Sequence, residues 1–306
     1  MPAVFIINGA LMKKKSKLHK QIQFEIFFIP ALVFFTTFTI IPLIKTILYS
    51  FTDFNGITHD YRFVGLKNYI GVFNDAVMKQ AIANTLLYTV ATVVLINLIA
   101  IPLAIALDKH TKAKSIERAI FFFPSVISGL LLGYLWGYIL SPMKTGALNA
   151  ILANFGIASH GWTSSPWSAR ICIVLVAIWT SVGWHATVYL AYLQAIPSEY
   201  YEAASIDGAT RWNQFIYITI PLLAPGMTVN TLLLLTNGFK VYDLPYALTK
   251  GAPGYSTYTV TQIIIQRGIS EKQYGVSTAL ATIFILAVMF VSSIQFLTMR
   301  KRETEL

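Results

Sequence analysis

Few residues in this chain have the types that do covalent or metal chemistry, and their spacing suits neither. His19, His59, His110, His160 and His185 are scattered, without the short intervals by which imidazoles share one ion. No H-E-x-x-H pairs two histidines around a carboxylate base, and no G-x-S-x-G presents a serine nucleophile. The lone cysteine, Cys172, excludes a disulfide framework and a thiolate metal site and reads as a small apolar filler. The segment TKGAPGYST, residues 249–257, has the glycines of a phosphate loop but not the G-K-[ST] ending that supplies a phosphate-binding lysine and a magnesium-binding hydroxyl. One polar stretch remains, YYEAASIDGATRWNQFIYITIPLLAP at 200–225, where two acids, an arginine and a turn abut an apolar run.

That apolar run is characteristic of the whole chain. Of 306 residues 56% are hydrophobic and only 12% charged, against about 25% charged in an ordinary soluble domain. Uncharged apolar stretches long enough to cross hydrocarbon mark spanning helices, because backbone polar groups there must be satisfied within the segment. Six are expected: Ile26–Ile44, Thr85–Leu107, Ala119–Leu140, Ile171–Leu193, Phe215–Leu235 and Val276–Leu297. Prolines 30, 42, 102, 124, 221 and 225 lie in or beside them, where kinks are expected. The chain therefore divides into a basic segment 1–23, a six-helix domain 24–298 and a basic tail 299–306, all-α throughout.

An even number of spans puts both termini on one side, and the lysines and arginines choose it. Lys13, Lys14, Lys15, Lys17 and Lys20 precede the first span, Arg300, Lys301 and Arg302 follow the last, and the 108–118 loop carries Lys109, Lys112, Lys114 and Arg118. These segments are expected in the cytoplasm, and the loop 141–169, with only Lys144 before Arg170 at its edge, outside. The net charge of +10 is thus a topology signal and not a nucleic-acid patch. The leading MPAVFIINGAL has its apolar part before its lysines, the reverse of a secretory signal, and Met12 is an alternative start to Met1.

This topology sets residues 198–221 in the cytoplasm between the fourth and fifth spans. Pro197 and Ser198 open a helix, Glu199 and Glu202 suit its positive end, and Ala203, Ala204 and Ile206 offer an apolar face. Gly208 ends it by taking the left-handed conformation, and Thr210 caps a second helix from Arg211. Spacing alone fits either an interfacial elbow or a docking helix.

Resemblance separates the two. Glu202-Ala203-Ala204, three residues, Gly208, nine residues and Ile218-Thr219-Ile220-Pro221 resemble the signature loop of binding-protein-dependent ABC importer permeases, with Ile220 where that pattern has leucine. The likeness spans roughly residues 24–298. GLKNYIGVFNDAVMKQAIANT (65–85) and FKVYDLPYALTKGAPGYST (239–257) are similar to segments of the maltose-type sugar permeases, although Lys250 and Ala252 replace glycines of a T-G-G-G-P-like run. The resemblance implies the type I importer architecture in a bacterial cell membrane. It makes Glu202, Ala203, Ala204, Asp207, Gly208 and Arg211 the segment that docks on a cytoplasmic ATPase dimer. ATP and magnesium then bind that partner, leaving this chain without catalytic residues, metal or cofactor. The other implied partners are a second homologous permease subunit, an extracellular solute-binding protein, a sugar or oligosaccharide, and membrane lipid, but no nucleic acid. Solute contacts map by the same resemblance to Thr180, Ser181, Trp184 and His185 before the docking loop and to Asn237, Gly238 and Val241 after it. A polyol, sugar phosphate or charged sugar is the alternative solute. An ion-coupled secondary transporter would need acids at depth, and the sequence offers only Glu25 at a span edge.

Overall fold

The computed structural model describes residues 28–58, 60–108 and 114–303. The basic run 13–20, Glu25, the start at Met1 or Met12, His19, His59, Lys109, His110, Lys112 and 304–306 lie outside the described residues. In chain order the helices are α1 (Phe28–Tyr49), α2 (Lys67–Asn74), α3 (Ala76–Leu107), α4 (Lys114–Phe122), α5 (Gly129–Ile139), α6 (Ala147–Asn154) and α7 (Pro166–Leu193). There follow α8 (Ser198–Ile206), α9 (Arg211–Leu222), α10 (Ala224–Phe239), α11 (Asp243–Thr249), α12 (Val260–Ile265) and α13 (Tyr274–Glu303). Among the described residues the one β feature is the isolated bridge between Thr52 and Phe63.

Four of the expected spans are continuous apolar helices: α1, α3, α7 and α13 up to Met299. The third and fifth are broken. Between α4 and α5 the axis turns by 92°, and between α9 and α10 by 66°. In the first break Pro124 sits in a short 3-10 turn, Phe123–Val126, and Ile127 and Ser128 run extended before α5 restarts. Proline removes an amide donor and its ring crowds the preceding turn, so the chain cannot carry the helix straight through. In the second break a π turn, Phe215–Thr219, directly precedes Pro221, and Pro225 follows one turn later. By contrast α3 continues through Pro102 unbroken.

Spans α3 and α7 pack along each other, and α10 crosses both. Ile96, Ala100, Ala104, Ala186, Tyr189, Leu190, Leu223 and Leu234 fill that junction. Its closeness depends on glycine at two places. A Cβ on Gly183 of α7 would strike the carbonyl of Phe121 in α4, and one on Gly238 would lie 2.9 Å from the Thr89 side chain of α3. A second core joins α2, α3, α12 and α13 through Val72, Met78, Ala81, Val260, Ile263, Ala279 and Leu280. There Arg267 pairs with Asp75 at 2.6 Å and with Glu271 at 2.5 Å. Burial opposes the Arg267 charge, but these two carboxylates outweigh it and hold its pKa above the usual value. Span α1 leans on α13 and buries none of its own length.

The loop between α5 and α7 contains helix α6 and is organised by one fully buried side chain. Asn149 donates through Nδ2 to the carbonyls of Ser141, Met143 and His160 at 3.0–3.2 Å. Its Oδ1 accepts from the His160 amide and from Trp162 Nε1, each at 3.0 Å. Asn149→Ala would orphan several of these groups at once, a cost of about 2 kcal/mol. The purified variant is expected to melt at a lower temperature and to be cut by protease within 141–165; an unchanged midpoint and cleavage pattern would show that the loop is held by other contacts.

Candidate functional site

Two polar regions stand out from the apolar bundle, one against the middle of α7 and one beyond its end. Against the middle of α7, a cavity of about 440 Å³ opens between α5, α7 and the end of α10. Thr180, Ser181, Asn237 and Val241 line it, so four of the seven solute positions implied by resemblance come together there. Tyr88, Gly129, Leu132, Lys240, Tyr242 and Asp243 complete the wall. The hydroxyls and the carboxamide offer donors and acceptors without net charge, and Lys240 and Asp243 add one charge of each sign. The Tyr242 and Tyr246 rings stack nearly parallel, with centroids 5.1 Å apart, beside the cavity mouth.

The cavity exists because α11 folds back onto α5. Gly129, Gly133 and Gly137, one per turn, lie against α11: Cβ atoms there would approach Asp243 Cβ at 3.2 Å, Ala247 Cβ at 2.5 Å and the Leu248 carbonyl at 3.4 Å. The sequence assigns no helix to 239–257, so α11 is unexpected there, as are Tyr88, Gly129 and Asp243 as lining residues. The G-x-x-x-G-x-x-x-G run was the available signal, since small residues at that interval let helix backbones touch. Lys250 ends α11 in the left-handed conformation, φ 51°, where the family's run has glycine. That costs an L-residue with a Cβ roughly 1–2 kcal/mol.

The other three residues are placed differently. Trp184 stands one turn along α7 from Thr180 and Ser181, half-buried, its ring edge-on to His185 at 4.7 Å. His185 does not face the cavity. It is buried, with Nδ1 2.5 Å from Asn230 Oδ1 of α10. One turn on, Tyr189 donates to Asn97 Oδ1 of α3 at 2.5 Å, and Asn97 Nδ2 reaches Thr231 of α10 at 3.4 Å. Gly238 is likewise buried against Thr89 and not presented to a ligand.

At the far end of α7, helix α8 projects with no buried residue. Glu202, Ala203, Asp207, Gly208 and Arg211 are exposed, Ala204 is half-buried, and Ile206 is 87% exposed. Gly208 has φ 80°, and Thr210 Oγ1 accepts from the Asn213 amide at 3.3 Å to start α9. The projection is nevertheless fastened to the bundle. Tyr201 Oη meets Thr219 Oγ1 at 3.1 Å, Gln214 donates to Ser205 Oγ at 2.9 Å, and Gln194 donates to Asp108 at 3.2 Å.

Residues 84–303 match the family described as binding-protein-dependent transport system inner membrane component. The protein named "Probable starch degradation products transport system permease protein AmyD" of Thermoanaerobacterium thermosulfurigenes is 35% identical over 96% of this chain and 100% of its own length. The multiple sugar-binding transport system permease protein MsmF of Streptococcus mutans is 32% identical over 90% of this chain and 95% of its own. The fold matches a chain of a bacterial alginate ABC transporter, solved in complex with an alginate pentasaccharide-bound periplasmic protein. That match has TM-score 0.83 and 21% identity, covering 94% of this chain and 97% of the other.

The geometry separates cavity residues from bracing residues by their effect on stability. His185→Ala and Asn230→Ala each strand a polar partner inside the bundle and should lower stability by about 1 kcal/mol. Ser181→Ala and Asn237→Ala should leave the thermal midpoint of the purified chain where it was. Midpoints that fell equally in all four would contradict the division.

Proposed function

The chain belongs to the binding-protein-dependent transport system inner membrane component family, and from that membership we propose that it is the membrane-spanning permease subunit of an ATP-driven importer for a sugar or oligosaccharide. The substrates named for its relatives, starch degradation products and multiple sugars, suggest this solute class. In our reading each bent pair counts as one span, giving six with both termini in the cytoplasm of a bacterial cell, flanked by basic segments at 1–23 and 299–306. The 141–165 loop and the cavity then face outward, where an extracellular binding protein delivers solute. Thr180, Ser181, Asn237 and Val241 form the first part of the path, with Trp184 one turn deeper. His185 and Gly238, which sequence resemblance assigned to the path, serve as braces between spans instead.

Helix α8 is the observation that carries this reading. An exposed helix with Glu202 on its surface and Ile206 almost wholly uncovered is held by hydrogen bonds to both ends of α9, so a push on it moves the bundle instead of bending a loose loop. A cytoplasmic ATPase dimer docks there and holds the ATP and magnesium, while a second, homologous permease subunit completes the pathway. Closure of the ATPase dimer biases one of two orientations of the spans, which is alternating access driven by differential binding.

Glu202→Lys tests the docking. Placing a like charge against a basic groove costs several kcal/mol, whereas reversal on a free elbow changes stability by about 0.5 kcal/mol or less. The expected outcome is loss of the co-purifying ATPase and of uptake at normal membrane levels of this chain; full retention of both would remove the docking assignment. Ser181→Ala and Asn237→Ala are expected to raise the solute concentration for half-maximal uptake while the ATPase stays bound. Unaltered half-saturation in both would take the cavity out of the path.

A further inference from the structure

Just beyond α1 the chain builds a small aromatic platform. Tyr49 stacks on Phe54 with centroids 4.3 Å apart, and Phe51 packs on Tyr69 at 5.2 Å and on Phe63 at 6.2 Å. Helix α2 is tied to this point by buried polar groups. Asn68 donates to the carbonyls of Ser50 and Thr52 at 2.9 and 2.7 Å, and Tyr69 Oη meets Ser50 Oγ at 2.7 Å. Gly275, at the start of α13, lies so close to the Thr52 carbonyl that a Cβ would strike it. Asp75, which ends α2, accepts from the Val77 and Met78 amides and so caps α3. A helix of eight residues is thereby fixed to the ends of three spans, α1, α3 and α13, at the level where α1 leaves the bundle.

Its inner face is Asn68 and Val72. Along the opposite face run Leu66, Ile70 and Phe73, at i, i+4 and i+7, and Phe63, packed on Phe51, is exposed as well. These four side chains are 57–78% exposed. Earlier in the chain the exposed face of α1 ends in Ile44 and Leu48, which are 51% and 60% uncovered. The ridge is thus an uncovered apolar surface fixed at the level of the ends of three apolar spans, and Lys67 is exposed on its flank. An apolar stripe with a polar flank at that height fits the boundary between acyl chains and headgroups.

We propose that Phe63, Leu66, Ile70 and Phe73 form a lipid anchor, with α2 lying in the headgroup boundary on the side of the 141–165 loop. It holds the ends of α1, α3 and α13 at one depth. The partner is the phospholipid surface itself, and the assignment needs only that the chain is embedded in a membrane, not the identity of the solute.

Spin labels read the surroundings directly. The full transporter complex, carrying Cys172→Ala, would be placed in nanodiscs of phosphatidylethanolamine and phosphatidylglycerol and labelled singly at Leu66→Cys, Ile70→Cys, Phe73→Cys and Lys67→Cys. All four positions are exposed, so the label displaces no buried contact. At 66, 70 and 73 the collision rate with oxygen should exceed that with a water-soluble nickel chelate by about threefold or more, at a depth of roughly 5–10 Å. Lys67→Cys should give a lower ratio. Strong nickel collisions along the stripe would place it in water, and weak collisions with both reagents would mean that another protein chain covers it. Either result overturns the anchor.

Discussion

Polar side chains enclosed in an apolar bundle must find one another, and that requirement sets the register of the central spans. His185 and Asn230 join α7 to α10, and Tyr189, Asn97 and Thr231 join α7, α3 and α10 one turn on. Apolar packing between such helices is weakly directional, because lipid tails offer much the same surroundings as leucine. A slide by one residue along α7 would separate both polar pairs. The cavity, against the middle of α7, and helix α8, beyond its end, therefore have positions fixed relative to each other by groups that line neither.

The broken spans follow from the same accounting of backbone groups. Irregular backbone within a membrane is tolerated only where protein or a polar cavity receives it. At the α4–α5 break Ser125 Oγ donates to the Phe122 carbonyl at 2.6 Å, while Gly183 gives the Phe121 carbonyl room against α7. At the α9–α10 break the Thr219 hydroxyl reaches back to the Gln214 carbonyl at 3.4 Å. Each break turns one end of a span toward the polar regions: α5 to the cavity wall, and α9 to the root of α8. The bends thus place the cavity wall and the root of α8.

Helix α8 and the cavity are joined along one continuous chain segment. Helix α8 is rigidly attached to α9, α9 passes through Leu223 into α10, and the far end of α10 carries Asn237 and Val241 into the cavity. That one chain segment, from α8 to the cavity wall, is braced to α7 by Asn230. A rotation of α9 and α10 would change the width of the cavity without disturbing the paired core of α3 and α7.

Composition, charge and the spacing of apolar runs determined the all-α membrane class, the positions of the apolar stretches and the local form of residues 198–221, because these depend on near neighbours in the chain. Gly208 and Thr210 act within one turn of themselves, and so they were legible. The bend angles were not, since Pro102 and Pro124 look alike in sequence and only the packing around each decides whether the helix survives. His185, Trp184 and Ser181 were equally eligible solute contacts by type and position. Tertiary structure divided them, because Asn230 lies 45 residues from His185 and no spacing rule connects the two. Helix α11 and the role of Asp243 in the cavity wall also waited on the fold, which brings glycines 129, 133 and 137 against a segment more than a hundred residues away.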